Sequence, residues 1–115
     1  MKLATINLIV ADAQRSRDFY VNALGLKENQ RRSEPSHFFY LESEGAALTV
    51  GKPHDGGAPK ASGSVEIGFE VADLQAARSK IESAGVKQES MHWGDTIQLR
   101  DPDGNCIVIY VLKRR

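Results

Sequence analysis

The 115-residue sequence has a single cysteine, Cys106, which excludes an intrachain disulfide and a cysteine-rich zinc module. It has no apolar run near the ~20 residues that cross a bilayer. It has no excess charge of either sign, since 15 Lys+Arg stand against 15 Asp+Glu. A balanced chain has no global field to gather nucleic acid or an anionic membrane, so neither is expected as a partner. It also lacks a P-loop, a dinucleotide fingerprint and a nucleophile–base motif. What remains is the ordinary composition of a globular domain, with 41% apolar and 26% charged residues, and length for one modest core.

The stretch from Leu3 to Val10, followed by Ala11-Asp12-Ala13, has the outline of a signal peptide. It is short, however, and it holds Thr5 and Asn7. The same pattern also recurs inside the chain, where no signal peptide can sit. It reads as a strand, and the expected location is the cytoplasm.

That recurrence organises the sequence. Val10-Ala11-Asp12 returns as Val71-Ala72-Asp73, sixty-one positions later. A short β-type run precedes each copy, 4–10 and 65–71. A helical pattern follows each, with apolar residues at Leu74, Ala77, Ile81 and Ala84 in the second copy and at Ala13, Ser16, Tyr20 and Ala23 in the first. Asp12 and Asp73 are natural N-caps, because a carboxylate there accepts orphan backbone N–H groups. Gly25 and Gly85 stand where a left-handed residue ends a helix. Strand-like runs come next: 37–41 and 46–50 in the first half, 96–100 and 106–111 in the second. Asp101-Pro102-Asp103-Gly104 between the last two is a strong turn signal. Each half therefore reads strand, helix, then about three strands. Residues 51–64 hold four glycines and two prolines without periodicity, which reads as a linker. The predicted organisation is α+β, a single domain over 1–115, built from module 1 (1–50), the linker (51–64) and module 2 (65–115).

This arrangement resembles the vicinal oxygen chelate superfamily, the glyoxalase/bleomycin-resistance/dioxygenase group. In the first half the resemblance rests on Leu8 to Asp12, Ser16, Phe19-Tyr20 and Leu24-Gly25-Leu26. In the second it rests on Phe69 to Leu74, Ala84-Gly85-Val86 and Asp101 to Asn105. It covers nearly the whole chain, and its specificity lies in order, spacing and duplication. It implies paired βαβββ modules whose curved mixed sheets enclose a central groove, and it implies a homodimer. Enzymes of that family hold a divalent metal with side chains from the first and last strand of each module, which stabilises an anion on substrate oxygens.

Carried onto this chain, the four metal positions are Thr5, Thr49, Glu66 and Val108. Only Glu66 is a good ligand, whereas a catalytic zinc uses about three protein donors and Mg²⁺ or Mn²⁺ wants oxygen or nitrogen. No metal and no cofactor are therefore expected. A displaced site built from Glu66 with His37 or His92 is the alternative; His54 falls in the linker.

Strand alternation then sorts the faces. Ile6, Leu8 and Val10 should pack on the first helix, leaving Thr5, Asn7 and Ile9 toward the groove. Val65, Ile67, Phe69 and Val71 should enter the core, leaving Glu66, Gly68 and Glu70. Ala47 and Thr49 match Cys106 and Val108 on the last strands. Phe39, on the face opposite Phe38 and Tyr40, and Trp93 are the aromatic candidates for stacking a planar ligand. Gly68 leaves backbone open to a ligand or marks a bulge. Glu66 either recognises a ligand's donor or cation, or pairs with an arginine such as Arg100. Cys106 has no obvious activating partner and reads as an inert packed thiol. The expected ligand-binding set is Thr5, Asn7, Phe39, Thr49, Glu66, Gly68, Trp93 and Val108.

The leading expectation is a metal-independent protein that binds an antibiotic-like or metabolite-like small molecule, as bleomycin-resistance proteins do. Its rivals are a divalent-metal-dependent lyase, isomerase or dioxygenase with a displaced site, and a module serving only dimerisation or regulation.

Overall fold

The computed structural model describes residues 1–35, 37–52, 65–89 and 96–111. The chain divides into two compact units, Met1–Lys60 and Ala61–Arg115.

In the first unit the elements are β1 (Thr5–Ile9), α1 (Ala13–Asn22), β2 (Lys27–Glu28), a 3₁₀ turn at Gln30–Arg32, β3 (Phe38–Glu42) and β4 (Ala47–Gly51). The sheet order is β1-β4-β3-β2. β1 runs parallel to β4, and β3 is antiparallel to both β4 and β2. The parallel pair needs a crossover, and α1 supplies part of it. Asp12 caps α1 as expected, its carboxylate accepting from the Arg15 N–H at 3.1 Å. Gly25 follows the helix at φ 78°, a conformation that side chains with a Cβ rarely adopt. α1 lies on β3 and β4. Val10, Tyr20, Leu41 and Val50 are fully buried there, and Leu8, Leu26 and Leu48 nearly so.

The second unit repeats the plan with β5 (Glu66–Glu70), α2 (Leu74–Ser83), β6 (Thr96–Arg100) and β7 (Cys106–Tyr110). Its sheet order is β5-β7-β6, with β5 parallel to β7 and β6 antiparallel to it. Asp73 caps α2 by accepting from Ala76 N–H at 3.1 Å, and Gly85 has φ 75°. The core is Ile81, Ile97, Leu99, Ile107 and Ile109. At the β6–β7 turn, the Asp101 carboxylate accepts from the backbone N–H of Asp103 and Asn105 and from the Asn105 amide. Three donors satisfy a carboxylate that is 5% exposed.

The duplication is visible in the strand register. Thr5 lies opposite Ala47 and Asn7 opposite Thr49; sixty-one and fifty-nine residues on, Glu66 lies opposite Cys106 and Gly68 opposite Val108. The two sheets thus place equivalent residues at equivalent points.

Several expectations change in detail. β4 extends through Gly51, which is buried, so the first sheet takes a residue assigned by composition to the linker. The second unit has two strands after its helix among the described residues, with a single bridge, Glu89 to Gln98, standing where β2 stands in the first unit. Ile6 is 40% exposed and Val65 38% exposed rather than packed under a helix. Ile6 is the second residue of the edge strand β1, and Val65 immediately precedes the edge strand β5. His54, His92 and Trp93 lie outside the described residues.

Candidate functional site

A sheet with one face on a helix leaves its other face open to solvent or ligand. In the first unit that face is read from the register. Asn7 of β1, Thr49 of β4 and Tyr40 of β3 lie in one row, and Ile9, Gly51 and Phe38 lie in the next. The alternate residues Leu8, Val50 and Phe39 point the opposite way and are buried.

Phe39 is therefore placed differently from the expectation. It is 4% exposed and belongs to the core with Leu41, while Phe38 and Tyr40 occupy the open face. The physical reason is the phase of β3. Leu41 has no polar atom and is fully buried, and alternation carries Phe39 inward with it. The Tyr40 hydroxyl needs a partner and finds the Arg32 guanidinium, which donates to it at 2.9 Å and stacks 5.1 Å from the ring centre.

Between these rows and the side chains of Glu34 and His37 lies a pocket of about 540 Å³. Its floor is formed by Asn7, Ile9, Phe38, Thr49 and Gly51, and three exposed side chains, Glu34, His37 and Lys52, line its rim. Backbone hydrogen bonds fix that rim: Glu34 and Phe38 exchange two, His37 N–H donates to Glu34 O at 2.7 Å, and Lys52 N–H donates to His37 O at 3.0 Å. Gly51 permits the floor, because a Cβ there would meet Phe38 Cβ at 2.9 Å and His37 O at 3.0 Å. Across the floor the Thr49 hydroxyl donates to the Asn7 amide oxygen. That leaves the Asn7 amide N–H groups and the Thr49 oxygen lone pairs facing the pocket.

Of the expected set, the structure brings Asn7 and Thr49 together in this pocket. Thr5 shares the face but lies opposite Ala47, one pleat further on. In the second unit Glu66, Gly68 and Val108 share the face of β5 and β7 with Cys106. Glu66 is exposed, and its Oε2 faces the Cys106 thiol at 3.9 Å. The Cys106 sulfur also accepts from the Gln98 amide at 3.3 Å. Arg100 does not serve Glu66. It pairs with Glu89 at 3.0 Å, and that hydrogen bond, helped by charge attraction, holds its guanidinium pKa above the usual arginine value. Gly68 leaves room beside Tyr110, whose Cε1 would lie 3.3 Å from an added Cβ.

The donor chemistry does not fit the metal of the family's enzymes. Thr49 is committed to Asn7, Val108 has no donor and faces Gly68, and Glu66 is a lone carboxylate beside a thiol. Among the described residues no three His, Cys, Asp or Glu side chains gather as a metal's ligand set would.

Sequence reasoning missed Glu34, Phe38, Gly51 and Lys52. The signal for Phe38 was present in the contrast of Leu41 with Tyr40, which sets the phase of the strand. Gly51 and Lys52 carried none, since they open a glycine- and proline-rich stretch.

The family model for the Glyoxalase/Bleomycin resistance protein/Dioxygenase superfamily matches residues 2–109. The chain belongs to the glyoxalase/bleomycin resistance superfamily. Within it, the uncharacterized protein YraH of Bacillus subtilis (strain 168) is 29% identical, the match covering 96% of this chain and 98% of YraH. Two solved structures share the superfamily fold. TnmS3, an antibiotic binding protein from Streptomyces sp. CB03234, superposes with TM-score 0.74 at 21% identity, covering 98% of this chain and 97% of its own. Lactoylglutathione lyase from Agrobacterium tumefaciens superposes with TM-score 0.72 at 16% identity, covering 94% and 91%. One superfamily fold thus carries both a binder and a lyase, and function has to be argued from the site.

Proposed function

We propose that this superfamily member binds a small organic molecule and holds it without a metal ion. The observation that carries this reading is the pocket of the first unit. The polar side chains of its floor are an amide and a hydroxyl locked to each other, and the floor is otherwise an aromatic ring, an isoleucine and bare backbone. Such a surface offers stacking, apolar burial and a few fixed hydrogen bonds, the usual makings of a ligand pocket, and its volume falls in the usual range of roughly 300–1,000 Å³. It offers no nucleophile activated by a base and no set of ligands for a Lewis acid. The antibiotic binding of TnmS3 agrees in kind. In the second unit, Glu66, Gly68 and Val108, which share one face of β5 and β7, are themselves proposed as ligand contacts. The protein is proposed to be a homodimer.

Calorimetric titration of the purified, chelator-treated protein with a panel of planar antibiotics and aromatic metabolites tests the proposal. Binding by at least one compound is expected, with Phe38→Ala weakening it about tenfold through lost stacking and burial (about 1.4 kcal/mol). Binding that appears only after Zn²⁺, Mn²⁺ or Ni²⁺ is restored and vanishes in Glu66→Ala would overturn it in favour of the lyase, isomerase or dioxygenase reading.

A further inference from the structure

The rim of the first unit's pocket carries two opposite charges that the protein itself does not use. Lys52 and Glu34 both line the pocket and both are exposed. Among the described residues, the side chain of neither takes part in a hydrogen bond or ion pair. Some of the unit's other charged groups are engaged by the protein itself. Arg17 is bonded to Glu28 and Asp18, Arg32 to Tyr40, and Asn29 reaches Glu42.

The placement of the pair is set by the backbone. Glu34 exchanges two backbone hydrogen bonds with Phe38. Lys52 follows the last residue of β4, and its N–H is bonded to His37 O at 3.0 Å. Both positions therefore belong to hydrogen-bonded backbone. Phe38 and Ile9 line the space between rim and floor, and among the described residues His37 is the other titratable side chain that lines the pocket.

From this the geometry points to a zwitterionic ligand with a flat aromatic body, of the aromatic amino acid class, as the occupant of this pocket. The inference deepens the small-molecule reading above and rests on it. The ring lies on Phe38 and Ile9, the ligand's carboxylate meets the Lys52 ammonium, and its ammonium meets the Glu34 carboxylate. Asn7 N–H groups and the Thr49 oxygen take any amide or hydroxyl between them. Charge logic excludes the simpler partners. A ligand that is only an anion gains Lys52 and is repelled by Glu34; one that is only a cation meets the reverse; a neutral ligand gains neither. Only a molecule carrying both charges is favoured at both rim positions.

The test uses four probes that share one bicyclic ring: L-tryptophan, tryptamine, indole-3-propionate and indole, titrated calorimetrically into the full-length protein. The expected result is that L-tryptophan binds about three- to fivefold tighter than tryptamine and than indole-3-propionate, the scale of one partly exposed charge pair. Lys52→Ala should abolish the preference over tryptamine alone, and Glu34→Gln the preference over indole-3-propionate alone. Both positions are exposed, so neither variant should perturb folding, and an unchanged thermal midpoint verifies it. Equal binding of all four probes, or a preference that survives both substitutions, overturns the inference. So does failure of all four probes while a neutral planar antibiotic binds; that result leaves the small-molecule reading standing. Failure of every compound in both panels removes the two together.

Discussion

At the scale of single residues, the open face of the first unit is shaped by what glycine leaves out. Gly51 and Gly68 both stand on strands, yet they differ in what an added methyl would strike. At Gly51 the neighbours are Phe38 Cβ and a backbone oxygen within 3.0 Å, and neither can swing away. At Gly68 the neighbour is a ring atom of Tyr110 at 3.3 Å, on a side chain that can shift slightly. Gly51→Ala is therefore expected to destabilise the protein by about 1–3 kcal/mol, and Gly68→Ala by well under about 1 kcal/mol. Chemical denaturation of the two variants checks the contrast. Thr49 shows the same economy of means: its hydroxyl orients Asn7, so one hydrogen bond sets which amide atoms face the pocket.

At the scale of elements, each helix starts on an aspartate and ends before a left-handed glycine, and both features repeat about sixty residues apart. What attaches α1 to the edge of its sheet is Arg17, bonded to Glu28 of β2 at 2.8 Å and to Asp18 at 3.0 Å. The hydrogen bond to Glu28 is the main reason the Arg17 pKa lies above the usual arginine value. A raised pKa on a cation means that its contribution is complete below the ordinary value and is lost only as pH rises beyond it. On the arginine side, the bridge should therefore be constant across the whole neutral range. Because the Arg17 side chain is 28% exposed, screening keeps its worth to about 1 kcal/mol. Arg17→Gln should lower stability by about that much, by an amount that does not change between mildly acidic and mildly alkaline buffer. A loss that grew steeply on raising pH within that range would contradict the assignment.

At the scale of the whole molecule, ligand binding should be readable as stability. A ligand that binds only the folded state adds about 2.7 kcal/mol at a hundredfold excess over its dissociation constant. Saturating a cognate aromatic ligand should raise the thermal midpoint by several degrees. The same rise is expected with a chelator present. A midpoint that responds to divalent metal and not to the organic ligand would contradict the proposal. Light scattering at working concentration should give twice the monomer mass if the proposed homodimer forms.

How much of this was legible beforehand follows from where each signal resides. Asp12 and Asp73 cap backbone N–H groups three residues on, and Gly25 and Gly85 act through their own backbone, so their roles could be read directly. The alternation of β1 brought Asn7 to the open face, and the repeat offsets aligned Thr49 with Val108. The face of Phe39 was misread because the run Phe38-Phe39-Tyr40 is aromatic throughout, and the contrast that sets its phase comes only from Leu41 beside Tyr40. Ile6 and Val65 looked like core because hydropathy reports what a side chain prefers and not what lies above it. The partner of Arg100 could not be chosen either, since Glu66 and Glu89 are equally suitable by charge and only distance selects Glu89.

By itself, then, the sequence determined the duplicated strand–helix–strand plan and the superfamily, because periodicity, caps and residue chemistry are local properties. Tertiary structure alone decided that Phe38 rather than Phe39 floors the pocket, that Thr49 is spent on orienting Asn7, and that Glu34 and Lys52 face a common space with no partner of their own. Those facts depend on which atoms, remote along the chain, come within a few ångströms, and packing settles that.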